Sequence, residues 1–204
     1  MPGRLILTTP LAEIAKTLDL PAPDRVDQPR VNIAPGQEIA CVNGDGISHM
    51  RWGIIPVGNV NARGRPVMET IVNARSETVF DKSAFEGLGR CVVPADGWYE
   101  WTGEKRKKTA WRITAKDGGI LWFAAITDTW AAPGGLSVPQ VATVTCEPND
   151  DVCDYHHRMG VLLTRQGISS WLLDDPEDAR AVMVQPEPGL LQVEEATDVD
   201  WNGP

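Results

Sequence analysis

Short apolar segments separated by turn-forming residues recur along the whole sequence, and this spacing limits the possible folds more than any other feature. The 204 residues include 19 glycines and 16 prolines. The segments EIACV and ISHMRWGII flank NGDG at 43–46, which is a strong β-hairpin signal. We therefore expect one α+β domain over residues 1–204, built mainly from antiparallel strands, with an acidic, proline-rich C-terminal segment at 185–204.

Other segments of the same kind predict the remaining elements. Thr9 and Pro10 look like the N-cap and the first residue of a helix, because an apolar stripe follows them. The predicted strands are 4–8, 90–101 with an internal turn, a hairpin over 110–126 that turns at KDGG, and 138–146. The other predicted elements are a loop at 57–68, a helix at 76–88 and two short helices at 165–173 and 176–183.

Composition excludes several classes of protein. Hydrophobic residues make up 42% of the chain and charged residues 23%, which is typical of a soluble globular protein. No apolar run reaches the length of a membrane span, and no signal-peptide segment follows the N-terminus. We expect a cytoplasmic monomer that needs no cofactor. Its four scattered cysteines, which form no C-x-x-C motif, are expected to be reduced.

The net charge of −9 is unevenly distributed along the chain. Residues 167–204 hold nine acidic residues and one basic residue, whereas residues 47–112 hold eleven basic and seven acidic residues. The negative average therefore hides a mildly basic middle that could contact phosphates. The cluster KRKK at 105–108 lies there, and either a solvated hairpin tip or a phosphate contact would explain it.

Three motifs contain side chains suited to chemistry. In GWYEW, strand alternation places Trp98 and Glu100 on one face and the other two aromatic residues on the opposite face. A glutamate beside aromatic rings loses solvation, which suits it for proton transfer near neutral pH. A solvated glutamate on a half-exposed strand is the competing interpretation.

The motif VNARSE at 72–77 offers Asn73 for orienting a polar substrate and Arg75 for holding a phosphate. A plain connection between two elements would also explain it. The motif DVCDYHHRMG at 151–160 contains two of the three histidines. No second ligand cluster at zinc-site spacing accompanies it, so we expect no metal, and a catalytic or a structural histidine remains open.

Six motifs together resemble one known family in their order and spacing. They are M-x-G-R at the start, NIAP, RWGIIP, NARSE, RCVVPADGWYEW and HHRM. This order is that of the SOS response-associated peptidase (SRAP) family, whose members crosslink to abasic sites in single-stranded DNA. The resemblance covers about residues 1–173 and implies a barrel-like SRAP fold.

The resemblance also implies roles for particular residues. In the family, an N-terminal cysteine exposed by removal of the initiator methionine captures the abasic-site aldehyde as a thiazolidine. Asn73 would position the substrate, Glu100 would handle protons and His156 would assist Schiff-base chemistry. The residues expected to hold phosphates or stack on bases are Arg4, Arg75, Trp101 and, with a less certain alignment, Thr145.

The sequence departs from the family at the nucleophile, because Pro2 stands where the family has cysteine. Gly160 replaces the usual proline after RM, and IIPVGN lacks a tryptophan that is common in the family. Methionine is normally removed before a small residue, so Pro2 can become a secondary amine able to form a Schiff base and to cleave the strand by β-elimination.

Three functions are therefore considered. The first is an abasic-site lyase that acts through Pro2 without a stable thiazolidine, in the DNA damage (SOS) response. The second is a non-catalytic protein that binds single-stranded or damaged DNA. The third is a peptidase, as the family's name states, or an engineered Cys-to-Pro version of a crosslinking protein.

Overall fold

The structure is a computed structural model that describes residues 2–56, 70–104, 106–132 and 134–203. Met1 and the predicted loop at 57–68 lie outside these residues. The described strands are β1 Leu5–Leu7, β2 Arg30–Ile33, β3 Glu38–Asn43, β4 Gly46–Trp52, β5 Asn73–Arg75, β6 Gly89–Ala95, β7 Gly97–Glu104, β8 Lys107–Ala115, β9 Leu121–Ala132, β10 Leu136–Cys146, β11 Met159–Gly160 and β12 Leu191–Glu195. The helices are α1 Leu11–Thr17, α2 Arg165–Leu173, α3 Pro176–Ala181 and a 3₁₀ turn at Ser83–Phe85.

These strands form two sheets, and the predicted α+β class with mainly antiparallel strands is confirmed. The first sheet has the order β12-β8-β7-β1-β2, and the second has the order β11-β10-β4-β3-β6-β9. Strand β10 also pairs with β9, so the second sheet curls round in a barrel-like manner. The predicted hairpin at NGDG is present as β3 and β4, with Asn43 opposite Gly46.

Strand β10 has the largest number of partners among the described strands. It runs antiparallel to β9 and β11 but parallel to β4 and β5. Its residues from Val141 to Val144 are fully buried, which the run VATV predicts for a strand covered on both faces. The main hydrophobic core includes side chains from both sheets. Because β10 pairs with four strands, its position determines where these strands lie.

The predicted hairpin over 110–126 is wrong, although both of its strands exist. Strand β8 pairs with β7 and β12 in the first sheet, whereas β9 pairs with β6 and β10 in the second. The turn at KDGG therefore carries the chain from one sheet to the other. Both edges of each strand are already taken by other partners, so β8 and β9 have no free edge for each other.

The predicted helix at 76–88 is also wrong, because this segment consists of turns with one 3₁₀ turn. Its apolar side chains do pack: Val79 is buried, and the Phe80 ring centroid lies 5.9 Å from that of Trp171. Successive turns of the backbone direct both side chains into the core. One of these turns is closed by a hydrogen bond of 3.0 Å from Thr78 N to Arg75 O. An apolar pattern of this kind does not separate a helix from a series of tight turns.

The predicted helices at 165–173 and 176–183 are confirmed as α2 and α3. The Thr164 hydroxyl caps the first, and the Asp175 carboxylate accepts two backbone N–H groups at the start of the second. None of the helices in the described part of the chain has the length and apolarity that a membrane span requires.

The predicted N-cap of α1 differs, because Pro10 occupies the cap position and Thr9 is used elsewhere. Thr8 and Thr9 each donate a backbone N–H and a hydroxyl to the Asp96 carboxylate, over 2.5 to 3.0 Å. Burial raises the pKa of Asp96, but these hydrogen bonds outweigh it and hold the pKa below its usual value. Asp96 thus ties the crossing between β6 and β7 to the end of β1.

Replacing this carboxylate should destabilise the whole domain. We expect Asp96→Ala to lower the free energy of unfolding by about 2 kcal/mol, because several donors lose a charged acceptor. The difference from the wild type should shrink as pH falls below about 4, since the stabilisation is lost when the folded carboxylate is protonated. Urea unfolding measures both effects, and Asp117→Ala, which removes one turn hydrogen bond, is the matched control.

Candidate active site

The start of the chain is held against strand β5 by a chain of hydrogen bonds. Asn73 on β5 lies beside Thr143 on β10 in the parallel register. The Thr143 hydroxyl donates to Asn73 Oδ1 over 2.6 Å, which fixes the orientation of the amide. Asn73 Nδ2 then donates to the carbonyl oxygen of Pro2 over 3.1 Å, and Pro2 itself is buried. The predicted site residue Asn73 therefore contacts Pro2, the residue expected to stand where the family has cysteine.

Glu100 lies on β7 in the first sheet, and its side chain points into the protein. Only 2% of it is exposed, and it shares its face of the strand with the fully buried Trp98, as alternation predicted. Burial raises the pKa of Glu100, and nearby positive charge only partly opposes this rise. A carboxyl group in this setting can hold and release a proton closer to neutral pH than an ordinary glutamate can.

His156 faces this carboxyl group from the turn that follows β10. Its Nε2 lies 3.9 Å from Glu100 Oε2. His156 Nδ1 lies 2.9 Å from the backbone nitrogen and 3.0 Å from the carbonyl oxygen of Arg158, so these contacts fit either tautomer of the neutral imidazole. Burial lowers the pKa of His156 to about 4, and nearby positive charge, including that of His157, adds to the shift. His156 is therefore uncharged at neutral pH.

Arg158 was not predicted from the sequence, although it lies in the motif HHRM. Its guanidinium makes two hydrogen bonds to Glu77, of 2.5 and 2.9 Å, and a third to the carbonyl oxygen of Thr145. The arginine is 7% exposed, and its charge pairs with a partner on the segment after β5. It therefore fixes the turn that presents His156, and its position two residues after His156 within one short motif was the available signal.

The residues predicted to contact DNA occupy different environments. Arg75 is exposed on β5, two residues after Asn73 and hence on the same face of the strand. Arg4 is half-buried, and its Nη1 donates to Asn32 Oδ1 over 3.1 Å. Trp101 is half-buried against other aromatic rings.

Thr145 differs from the other three, because it is fully buried. Its hydroxyl donates to the carbonyl oxygen of Ala74 over 3.1 Å, and Arg158 binds the Thr145 carbonyl. In this arrangement the hydroxyl faces the interior of the protein and supports β5 and Arg158.

The four cysteines offer no obvious replacement for an N-terminal thiol. Cys41, Cys91 and Cys146 are buried, and burial raises the pKa of Cys146 to about 11. Cys153 is exposed in the turn before His156. Within the ranges that the structure describes, no group of three or more histidine, cysteine or acidic side chains could hold a metal ion.

Comparisons with known proteins identify the family of this chain. The model of the family described as SOS response associated peptidase (SRAP) matches residues 1–199. Abasic site processing protein YoaM of Bacillus subtilis is 32% identical over 182 residues, which cover 84% of this chain and 79% of YoaM. Abasic site processing protein YoqW of the same organism is 30% identical over 210 residues, covering 98% and 90%. This chain therefore belongs to the SRAP family.

A solved structure shows the same fold. A protein from Bacteroides thetaiotaomicron superimposes with a TM-score of 0.83 at 20% sequence identity, covering 96% of this chain and 92% of that one. This likeness confirms the predicted family fold.

Gly160, a departure from the family pattern, has a packing explanation. A Cβ atom at position 160 would lie 2.3 Å from two ring carbons of Phe123, which is fully buried. The larger residue expected after RM would require the phenyl ring to move. The absence of a side chain at Gly160 therefore makes room for the Phe123 ring.

The low pKa of His156 predicts a pH effect on stability. An imidazole in the unfolded chain titrates near 6.5. Between this value and about 4 the unfolded state binds a proton that folded His156 does not, so stability falls as pH is lowered through this window. We expect His156→Gln to weaken this dependence when urea unfolding is compared at pH 7 and pH 5.

Proposed function

We propose that this protein processes abasic sites in single-stranded DNA through the nitrogen of Pro2. In this proposal Met1 is removed, and Pro2 becomes the first residue with a free secondary amine. The relatives YoaM and YoqW are named abasic site processing proteins, and membership of their family supports the same substrate class here. The observation that carries the proposal is the convergence of Asn73, Glu100 and His156 at the start of the chain.

Two contacts support a position of the Pro2 nitrogen close to the Glu100 carboxyl group. The Tyr99 N–H donates to the Arg4 carbonyl over 3.1 Å, so the residues before Arg4 continue alongside β7 towards Glu100. The bond from Asn73 to the Pro2 carbonyl fixes the other side. A free α-amine titrates at about 7.7–8.0, so part of it is neutral and nucleophilic at pH 7.

The chemistry uses the amine as nucleophile and Glu100 as proton carrier. The amine attacks the aldehyde carbon of the open-chain sugar, and the proton of the nitrogen is transferred to the oxygen to give a carbinolamine. Protonated Glu100 then gives its proton to the departing hydroxyl, water leaves, and an iminium cation remains. The Glu100 carboxylate next removes a proton from C2′, and the electron pair expels the 3′ phosphate. Hydrolysis of the product iminium frees Pro2.

His156 and Asn73 assist these reaction steps without forming covalent bonds to the substrate. Neutral His156 places Nε2 3.9 Å from Glu100 Oε2, and in the tautomer with its proton on Nε2 it steadies the carboxylate that forms when the proton leaves. Its low pKa keeps a further positive charge away from the iminium. Asn73, held by Thr143, keeps the first residue in place while the nitrogen reacts.

The missing thiol determines the fate of the adduct. A cysteine would close a thiazolidine ring on the imine carbon, whereas Pro2 has no group that can add to it. The iminium must therefore hydrolyse or undergo β-elimination, which makes the protein an abasic-site lyase and not a permanent crosslinker.

Single-stranded DNA is the proposed form of the substrate because a cation lies beside the site and an indole ring lies on the opposite face of β7. Arg75 is exposed next to Asn73, and Trp101 directly follows Glu100 on β7. Stacking on tryptophan needs unpaired bases, while cations bind the backbone phosphates.

A second candidate function follows from the same nitrogen. As long as Met1 is attached, the Pro2 nitrogen is an amide and cannot attack an aldehyde. The protein would then bind damaged single-stranded DNA through the residues above without forming a covalent bond.

Borohydride trapping separates the two functions. The processed protein, with removal of Met1 verified by intact mass, should become covalently attached to an abasic single-stranded oligonucleotide when borohydride reduces the iminium. A form with an uncleaved N-terminal extension should give no trapped product. Glu100→Gln should slow trapping by at least about 100-fold, the lower range for general acid–base catalysis. Glu104→Gln, an exposed residue on the same strand, is the matched control.

Equal trapping of the blocked and the processed protein would contradict the role of Pro2. Two substitutions test whether the scaffold around residue 2 is intact. Pro2→Cys should give a heat-stable adduct without borohydride, because a thiol is restored beside the amine. Pro2→Ser should need borohydride, because it restores a primary amine without a thiol.

A further inference from the structure

The C-terminal segment brings a second tryptophan to the face of β7 that carries Trp101. The Trp201 ring centroid lies 5.4 Å from that of Trp101 and 5.0 Å from that of Tyr99. Both tryptophans are half-buried, so each keeps part of its ring surface accessible. Next to them is a surface pocket of about 640 Å³, which we call the two-tryptophan pocket. Trp101, Trp201, Arg106 and Lys108 are among the residues that line it.

The segment that carries Trp201 is attached to the rest of the protein by several hydrogen bonds. The Ala196 N–H donates to the Ala110 carbonyl over 2.8 Å. Asn32 Nδ2 donates to the carbonyl oxygens of Asp200 and Gly203 over 3.2 and 2.9 Å. The same Asn32 accepts the hydrogen bond from Arg4, so the segment is joined to a residue expected to bind phosphate.

Two acidic side chains of this segment form ion pairs with an arginine outside the pocket. Glu194 and Asp198 each accept a hydrogen bond from Arg112, of 2.9 and 2.5 Å. These ion pairs neutralise two of the acidic side chains that would otherwise repel a phosphate. Glu195 does line the pocket, but two cations, Arg106 and Lys108, line it as well.

Arg106 occupies a backbone conformation that an arginine rarely adopts. Its φ is 76°, in the left-handed region, at the turn where Glu104 pairs with Lys107. Turns of this length usually carry glycine or asparagine at such a position. A side chain in this conformation strains the backbone, and such strain is often found at binding sites. The arginine thus supplies a cation to the pocket at the expense of backbone strain.

We propose that the two-tryptophan pocket binds an unpaired nucleobase of the DNA strand, with Trp201 as a stacking surface and Arg106 and Lys108 on the adjoining phosphates. The pocket volume suits a base with its sugar and phosphate. Aromatic faces combined with cations are the chemistry by which proteins hold single-stranded nucleic acid. The inference rests on the proposed function for its substrate class, and it extends the site by one nucleotide on the far face of β7.

Binding of undamaged single-stranded DNA to the full-length protein tests this proposal without involving the amine. Fluorescence anisotropy of a labelled oligothymidine should show that Trp201→Ala weakens binding by about tenfold, whereas Trp201→Phe retains most of the affinity. Trp130→Ala is the matched control, since that half-buried tryptophan lies on β9 in the other sheet. Unchanged affinity of Trp201→Ala would overturn the proposal. Tighter binding would also overturn it, and would show that the segment covers Trp101 and competes with DNA.

A second variant keeps the test valid if the loss of Trp201 disturbs the segment. Arg106→Gly should weaken DNA binding about threefold or more and flatten its salt dependence, while thermal stability stays equal or rises because backbone strain is relieved. A purely structural turn would show the gain in stability with no change in affinity, which contradicts the proposal. If the pocket variants bind DNA with normal affinity and borohydride trapping persists, the pocket proposal is rejected. The proposed role of Pro2 is not affected by that result.

Discussion

The parallel pairing of β5 with β10 is the constraint on which the candidate site depends. This register sets Asn73 beside Thr143 and Arg75 beside Thr145. The first pair orients the amide that holds Pro2, and the carbonyl of Thr145 binds the arginine that fixes the His156 turn. A shift of one residue would turn these side chains to the opposite face of the strand, and both attachments would be lost together.

Burial then gives the site its electrostatic character. Glu100 is almost completely enclosed, which raises its pKa, while burial lowers the pKa of His156 to about 4. The two shifts have the same cause and opposite directions, because burial disfavours the charged form of each group. A neutral imidazole beside a carboxyl group that readily holds a proton suits amine chemistry. The pair lies where β7, the start of the chain and the turn after β10 meet.

The sequence predicted the local parts of this arrangement better than the connections between them. Alternation in GWYEW correctly separated Glu100 from Trp101, and NGDG correctly predicted a hairpin. KDGG has the same type of turn residues but joins two sheets. The strands on either side of it each pair with a segment that is distant in sequence, and a local residue pattern cannot predict such pairings. The position of Trp201 could not be predicted for the same reason: Asn32 and Ala110, which hold its segment, are far away in sequence.

The central claim is that the nitrogen of Pro2 is the group that meets the aldehyde. Its most direct test is mass-spectrometric mapping of the modified residue after reduction of the protein–DNA adduct and digestion of both components. The account predicts that the remaining sugar fragment is attached to the N-terminal proline of a peptide that begins at Pro2. A fragment attached to a lysine, such as Lys108 beside the two-tryptophan pocket, would contradict it.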